Sequence, residues 1–312
     1  MRQKNLRRRL RPVYDRRYIP RTLFPGGFLM ISPSHILNLS CDDQPGIVAA
    51  VATALAGIGI NIVESSQFWD QQTNRFFMRI ALDSRGKPQR EIELTLRPVI
   101  QRFDIDAHVT DTAVSPRIII MVSRFDHAML HLLYQIRVGW LHANVVAIVS
   151  NHPDSRKEAE DAGVPYHHWA VTKENKIEQE ARLWQLVHDT NPELVILARY
   201  MQVLSDDFSR RLYGRIINIH HSFLPSFKGA KPYHQAYNRG VKLIGATAHY
   251  VTPDLDEGPI IEQETERVNH AMSAEDYVAA GRDIESRVLA RAVKLHLENR
   301  VMLSGNKTIV FT

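Results

Sequence analysis

The chemistry in this chain concentrates in two short segments. Asn218-Ile219-His220-His221-Ser222 closes a predicted strand, and Thr252-Pro253-Asp254-Leu255-Asp256-Glu257-Gly258-Pro259 forms an acidic turn further along. Strand alternation places Asn218 and His220 on one face and Ile219 on the other. An amide and an imidazole side by side at a strand end can both donate to one carbonyl oxygen. If that oxygen gains charge when its carbon is attacked, the two donors stabilise it. The three acids of the turn repel one another, which costs stability unless one of them is used. Asp256, if it folds back toward His220, would favour an imidazolium there and could orient or deprotonate a water. Taken singly, a strand-end histidine is usually structural and an acidic turn is usually solvated. The combination carries the signal. His167, His168, His220, His221, His234 and His249 lack the spacing of a zinc site, so no metal is expected.

These residues need a scaffold, and the hydrophobic period indicates one. Arg117–Val122 reads as a buried strand and Asp126–Arg137 as a helix. Strands then follow at Val145–Ser150, Val164–His167, Leu194–Ala198 and Arg215–Asn218. Helices alternate with them at Ser155–Ala162, Glu174–Thr190 and Ser205–Tyr213. That alternation predicts a doubly wound, mostly parallel sheet, whose ligands bind at the carboxyl ends of the strands. Beyond a helix at Pro232–Arg239, Leu243–Val251 and Pro259–Glu266 read as an antiparallel pair added at the edge. A long helix at Ala274–Glu298 and a hairpin around Gly305-Asn306 end the chain. The loop Ser222–Lys231 holds Pro225 and Gly229, so it is shaped rather than floppy.

An earlier domain has a different order. Ile36–Cys41 alternates as a strand, and Asp42–Gly46 reads as an N-cap run with Pro45 at the first helical position. Ile47–Ala56 is apolar at helical spacing and stops at Gly57-Ile58-Gly59. Strands at Asn61–Phe68 and Arg75–Leu82, a helix at Glu91–Phe103 interrupted by Pro98, and a strand at Asp106–Val109 complete a β-α-β-β-α-β order. This is the pattern of a ferredoxin-like sandwich. The expected domains are therefore 30–112 and 117–312, joined by a linker at Asp111–Pro116.

Three motifs carry a specific resemblance. Asn-Ile-His-X-Ser-X-Leu-Pro at Asn218–Pro225, Gly-Ala-Thr-Ala-His at Gly245–His249 and Leu-Asp-Glu-Gly-Pro at Leu255–Pro259 resemble the folate-dependent formyltransferases and formyl hydrolases. The resemblance covers roughly Ile118–Gln263 and implies that Asn218, His220 and Asp256 are catalytic. It also implies that Met201, Gln202, Val203 and Leu204 bind a pterin ring, largely through backbone groups. Val251, Asp254 and His249 would lie around the rest of the substrate. Family members acting on glycinamide ribonucleotide carry a Gly-rich phosphate loop after the first strand. Here that loop is Ser123-Arg124-Phe125-Asp126-His127, without glycine, and Asp126 would repel a phosphate at the helix N-terminus. Members acting on initiator tRNA carry an added C-terminal domain, for which this chain has no room.

The N-terminal segment Cys41-Asp42-Asp43-Gln44-Pro45-Gly46-Ile47-Val48, followed by Gly57-Ile58-Gly59-Ile60-Asn61-Ile62, resembles an ACT domain. ACT domains commonly bind amino-acid effectors between paired copies. The resemblance maps that role onto Asp43, Gly46, Gly59 and Asn61, with simple helix capping and dimerisation as the equal alternative. An ACT domain joined to the altered loop is similar to the hydrolase branch of the family. That branch implies 10-formyltetrahydrofolate as substrate, with no cofactor, and water as nucleophile. It also implies formate for purine synthesis, balanced one-carbon pools and a homo-oligomer, dimer or tetramer. Two alternatives share these residues: transfer of the formyl group to a small amine, and a regulatory protein with an inactive catalytic domain.

Composition excludes several other classes. The chain has 312 residues, 44% of them hydrophobic, enough for packed cores. No apolar run approaches the roughly 20 residues that span a membrane. Cys41 is the single cysteine, so no internal disulfide forms and a cytoplasmic location is expected. The net charge of +5 comes from residues 1–22, which hold eight arginines and one lysine against Asp15. The remainder is close to balanced, so no nucleic-acid surface is expected. Residues 1–29 read as a disordered basic arm, or as an extension ahead of a true start at Met30.

Overall fold

The computed structural model describes residues 33–224 and 232–312. The arm expected over 1–29 and the 225–231 part of the shaped loop lie outside the described residues. The first six elements are β1 (His35–Asp42), α1 (Ile47–Gly57), β2 (Asn61–Asp70), β3 (Arg75–Asp83), α2 (Gln89–Phe103) and β4 (Asp106–Asp111). Their sheet has the antiparallel order β2-β3-β1-β4, a ferredoxin-like arrangement. Leu37, Leu39 and Cys41 point with Val51, Leu55, Ile92 and Leu96 into one apolar core, so the lone cysteine packs as a small hydrophobe.

Two local expectations are corrected. The cap of α1 is Gly46 itself, in a left-handed conformation at φ 98°, with no side-chain cap. Strand β1 runs on through Asp42, which leaves Pro45 in the turn before the helix. Pro98 does not interrupt α2. The carbonyl it strips of a donor belongs to Leu94, on an exposed turn of the helix where water can serve it.

The second set begins with β5 (Arg117–Val122), α3 (His127–Arg137), β6 (Asn144–Ser150), α4 (Arg156–Asp161), β7 (Tyr166–His168) and α5 (Lys176–Thr190). It continues with β8 (Leu194–Leu197), α6 (Asp206–Arg211), β9 (Ile216–His220), α7 (Pro232–Arg239), β10 (Leu243–Tyr250) and β11 (Ile260–Arg267). It ends with α8 (Ala274–Leu297), β12 (Val301–Ser304) and β13 (Lys307–Val310). The seven-stranded sheet has the order β11-β10-β9-β8-β5-β6-β7. Strands β5 to β9 pair in parallel, while β10 and β11 add antiparallel at one edge. Strand β5 shows why the sheet is buried on both faces. Ile118, Ile120 and Val122 enter one core and Ile119 and Met121 the other. A continuous apolar run is what a doubly covered parallel strand requires.

The two sheets meet at the carboxyl end of α8. Arg79, only 4% exposed, donates to the Glu298 carbonyl and pairs with Glu64 at 3.2 Å. Asn38 donates to the Asn299 carbonyl at 2.9 Å. A cation at a helix C-terminus meets both the unpaired carbonyls and the negative end of the dipole. Among the described residues no helix is long and apolar enough to cross a membrane.

Candidate active site

The pairing of β9 with β10 assembles the polar centre. Register sets Asn218 opposite His249 and His220 opposite Thr247, so cross-strand neighbours share one face. His249 Nδ1 lies 2.9 Å from the Tyr250 carbonyl and therefore carries a proton. Its Nε2 can then accept from the Asn218 amide at 3.2 Å. This bond turns the amide nitrogen toward the same face as His220.

Asp256 reaches this centre from the loop between β10 and β11. His220 Nδ1 donates to Asp256 Oδ1 at 3.2 Å, while His249 Nε2 is a longer neighbour of the same oxygen at 3.7 Å. The His220 hydrogen bond holds the Asp256 carboxyl well below the usual carboxylate range against the opposing effect of burial. Asp256 adopts φ 59°, unusual for a residue with a Cβ. The loop enforces it: Thr252 Oγ1 donates to the Asp254 carbonyl, and Tyr250 N–H donates to the Pro259 carbonyl. His220 is 5% exposed, and its Nε2 has no partner among the described residues.

Sequence-predicted binding residues gather around a cleft of about 270 Å³. Met201, Gln202, Val203, Leu204, His249 and Val251 line it together with Asn218, His220 and Asp256. Asp254 is exposed and lies outside the lining; its carbonyl instead closes the turn that carries Asp256. The Met201–Leu204 segment is pinned at both ends. Met201 N–H donates to buried Ser123 Oγ, which itself donates to Asn151, and Ser205 N–H donates to Glu180. The Met201 N–H is therefore engaged within the protein. The predicted effector residues do not converge in one chain. Asp43 and Gly46 precede α1, whereas Gly59 and Asn61 follow it, some 16 Å away along eleven residues.

One cluster had no sequence signal. Glu285 on α8 is 1% exposed and takes hydrogen bonds from His127 Nε2 and the Tyr233 hydroxyl, both at 2.8 Å, with Arg199 Nε at 3.4 Å. Burial opposes ionisation, but the His127 hydrogen bond and the Arg199 charge prevail and hold the carboxyl below its ordinary value. Within an amphipathic helix such a residue reads as one more polar position, because its partners lie far away in sequence.

Comparisons with known proteins agree with this geometry. A family model described as formyl transferase matches residues 116–293, and one described as ACT domain matches residues 35–110. The formyltetrahydrofolate deformylase of Corynebacterium sp. (strain P-1) is 47% identical over 278 residues, 88% of this chain and 97% of that protein. That of Bacillus subtilis (strain 168) is 46% identical over 88% of this chain and 93% of its own length. The crystal structure of formyltetrahydrofolate deformylase from Burkholderia mallei superposes with a TM-score of 0.86 at 47% identity, covering 89% of this chain and 99% of that one. A glycinamide ribonucleotide transformylase from Symbiobacterium toebii shares 28% identity and a TM-score of 0.59, over 63% of this chain and 94% of its own. The long relatives thus share both sheets, whereas the transformylase matches over a smaller part. By this identity and coverage, the chain belongs to the formyltetrahydrofolate deformylase family.

Proposed function

We infer that this chain hydrolyses 10-formyltetrahydrofolate to tetrahydrofolate and formate, with His220, Asn218 and Asp256 as its catalytic residues. The observation that carries the assignment is the state of His220. Its Nδ1 is committed to Asp256, while its buried Nε2 has no partner among the described residues and stands at the wall of the cleft. The pterin ring would occupy the cleft along the Met201–Leu204 segment, which lines it with Asn218 and His220 of β9, and bring its formyl group to β9. Water, aligned by Asp256, attacks the formyl carbon. The carbonyl π electrons move to oxygen, where Asn218 Nδ2–H and His220 Nε2–H meet the charge. The proton lost by water passes to the Asp256 carboxylate. Collapse breaks the C–N bond, its electron pair stays on nitrogen, and the proton returns there as the amine leaves. One water is consumed, and the formic acid formed releases its proton to solvent and leaves as formate. The steps use no metal and no cofactor; the folate is the substrate.

The discriminating assay uses 10-formyltetrahydrofolate alone. Formate should appear at the rate of tetrahydrofolate formation with no amine present. A chain that turns over only when an amine acceptor is added is a transferase, and that result would overturn this reading. Formate released this way would balance one-carbon pools and serve purine synthesis in the cytoplasm.

The ACT portion is read as a regulatory module working in a homo-oligomer. β2 is an edge strand that exposes Val63, Phe68 and Trp69, a surface suited to a second copy. The separation of Asp43 and Gly46 from Gly59 and Asn61 supports an amino-acid pocket completed across two chains. A rise in melting temperature with methionine or glycine, lost on Asn61→Ala, is expected. Unchanged melting across the amino acids would leave the module with pairing alone.

A further inference from the structure

The buried charge cluster takes no part in the steps above, yet it ends against the catalytic strand. Arg199 lies between Glu285 on one side and His221 on the other. Its Nη1 donates to His221 Nδ1. An imidazole nitrogen that accepts a hydrogen bond from a guanidinium carries no proton, so the His221 ring is neutral and its hydrogen sits on Nε2. His221 stacks on His220 with centroids 5.0 Å apart and planes 15° from parallel. The two neighbouring rings therefore face opposite charges: a carboxylate at His220 Nδ1 and a cation at His221 Nδ1.

We propose that Arg199, anchored by Glu285, is a positioning residue that keeps His221 neutral and flat against His220, so that His220 alone of the pair carries the proton used in hydrolysis. This rests on the reading of His220 as the proton-bearing donor. Two stacked imidazolium rings at this distance, one of them only 5% exposed, would repel. One ring must stay neutral, and the fixed cation decides which. The backbone adds a second observation. Arg199 sits at φ 65°, a left-handed conformation that a residue with a Cβ holds only where its surroundings impose it. Glu285, which also binds His127 and Tyr233, is the ion-pair partner that Arg199 meets from this position, at 3.4 Å.

The test pairs spectroscopy with kinetics. Nitrogen NMR of the histidine-labelled full chain should show His221 with a bare Nδ1 and a protonated Nε2, without any variant. A proton on Nδ1 would overturn the proposal whatever the enzyme does. Arg199→Met should lower kcat for formate release about tenfold or more, shift KM less than about threefold, and leave His221 in mixed tautomers. Arg199→Lys should recover part of kcat together with the single tautomer. A merely structural Arg199 would lower melting temperature while kcat and tautomer stayed put, which refutes the positioning role. A wild-type chain that releases no formate refutes the hydrolase reading instead, and the two failures are separable.

Discussion

Asp256→Asn is expected to lower kcat for formate release by about 10²–10⁴-fold, the usual worth of a positioned acid or base. The substitution is geometrically mild. Asparagine tolerates the left-handed φ of 59° that position 256 requires. Its amide, however, cannot accept a proton from water, and its neutral oxygen is a weaker partner for His220 Nδ1. His220→Ala removes an oxyanion donor and should cost about 10²–10³-fold in kcat. The double variant should fall little below the worse single one, because residues that act as a unit are not additive. Substrate binding should stay close to normal in all three, since the proposed ring site lies along the Met201–Leu204 side of the cleft. Additive losses would mean that the two side chains work independently, and a kcat within a fewfold of wild type for either single variant would end the assignment. Stability has its own sign. Asp256 has a folded pKa below its unfolded one, so its contribution is fully present above about pH 4 and fades only as pH falls through the depressed value. Asp256→Asn should therefore narrow the gap between melting temperatures at neutral and acid pH, read by calorimetry.

Much of the site could be read from residue order because strand geometry is periodic. Asn218 and His220 share a face at a spacing of two, and that face becomes an active site once β9 ends at the rim of the sheet. The observed strand extends through His220, two residues past its expected end, which makes both side chains strand residues rather than one strand and one loop residue. Asp256 was legible as an acid in a turn, but its approach to His220 depends on how β10 and β11 pair, and pairing is long-range. Glu285 was illegible for the same reason. Sequence period tells which side of α8 it occupies, and nothing in the period says that His127, Arg199 and Tyr233 converge on it. The α1 cap was misread at Asp42–Gly46 because polar residues before a helix suggest a side-chain cap, whereas here β1 keeps Asp42 and glycine turns the chain. Asp254 and Asp256 stand two apart in one turn, and only the closed loop shows that the first supplies a carbonyl to the turn while the second lines the cleft with its carboxylate.

Gly258→Ala should be among the most damaging single-methyl additions in the molecule. A Cβ at that position would stand 1.7 Å from the Tyr250 carbonyl oxygen and 3.2 Å from His249 Nδ1. Both atoms are backbone or buried, and they are bonded to each other at 2.9 Å. Neither can swing away as the end of a flexible side chain would. The loop must instead lift from β10, and Asp256 rides on that loop two residues earlier. Overpacking of this kind costs about 1–3 kcal/mol of stability, occasionally more. The larger effect falls on rate, since a displacement of about 1 Å in a catalytic group can cost about 10²-fold. A control on the same chain isolates the cause. Gly57, at the end of α1, has nothing within 4 Å of a built Cβ and no positive φ. Gly57→Ala should leave kcat unchanged and stabilise slightly, by about 0.4–1 kcal/mol. If Gly258→Ala behaved like Gly57→Ala in both melting temperature and formate release, the tight return of the loop onto Tyr250 would not be what holds Asp256 against His220. If it lowered kcat far more than stability, the loop would be shown to act through the wall of the site that it carries, Asp256 together with Val251, Thr252, Pro253 and Leu255, because the opposite wall is held by β9 and the segment that Ser123 and Glu180 pin in place.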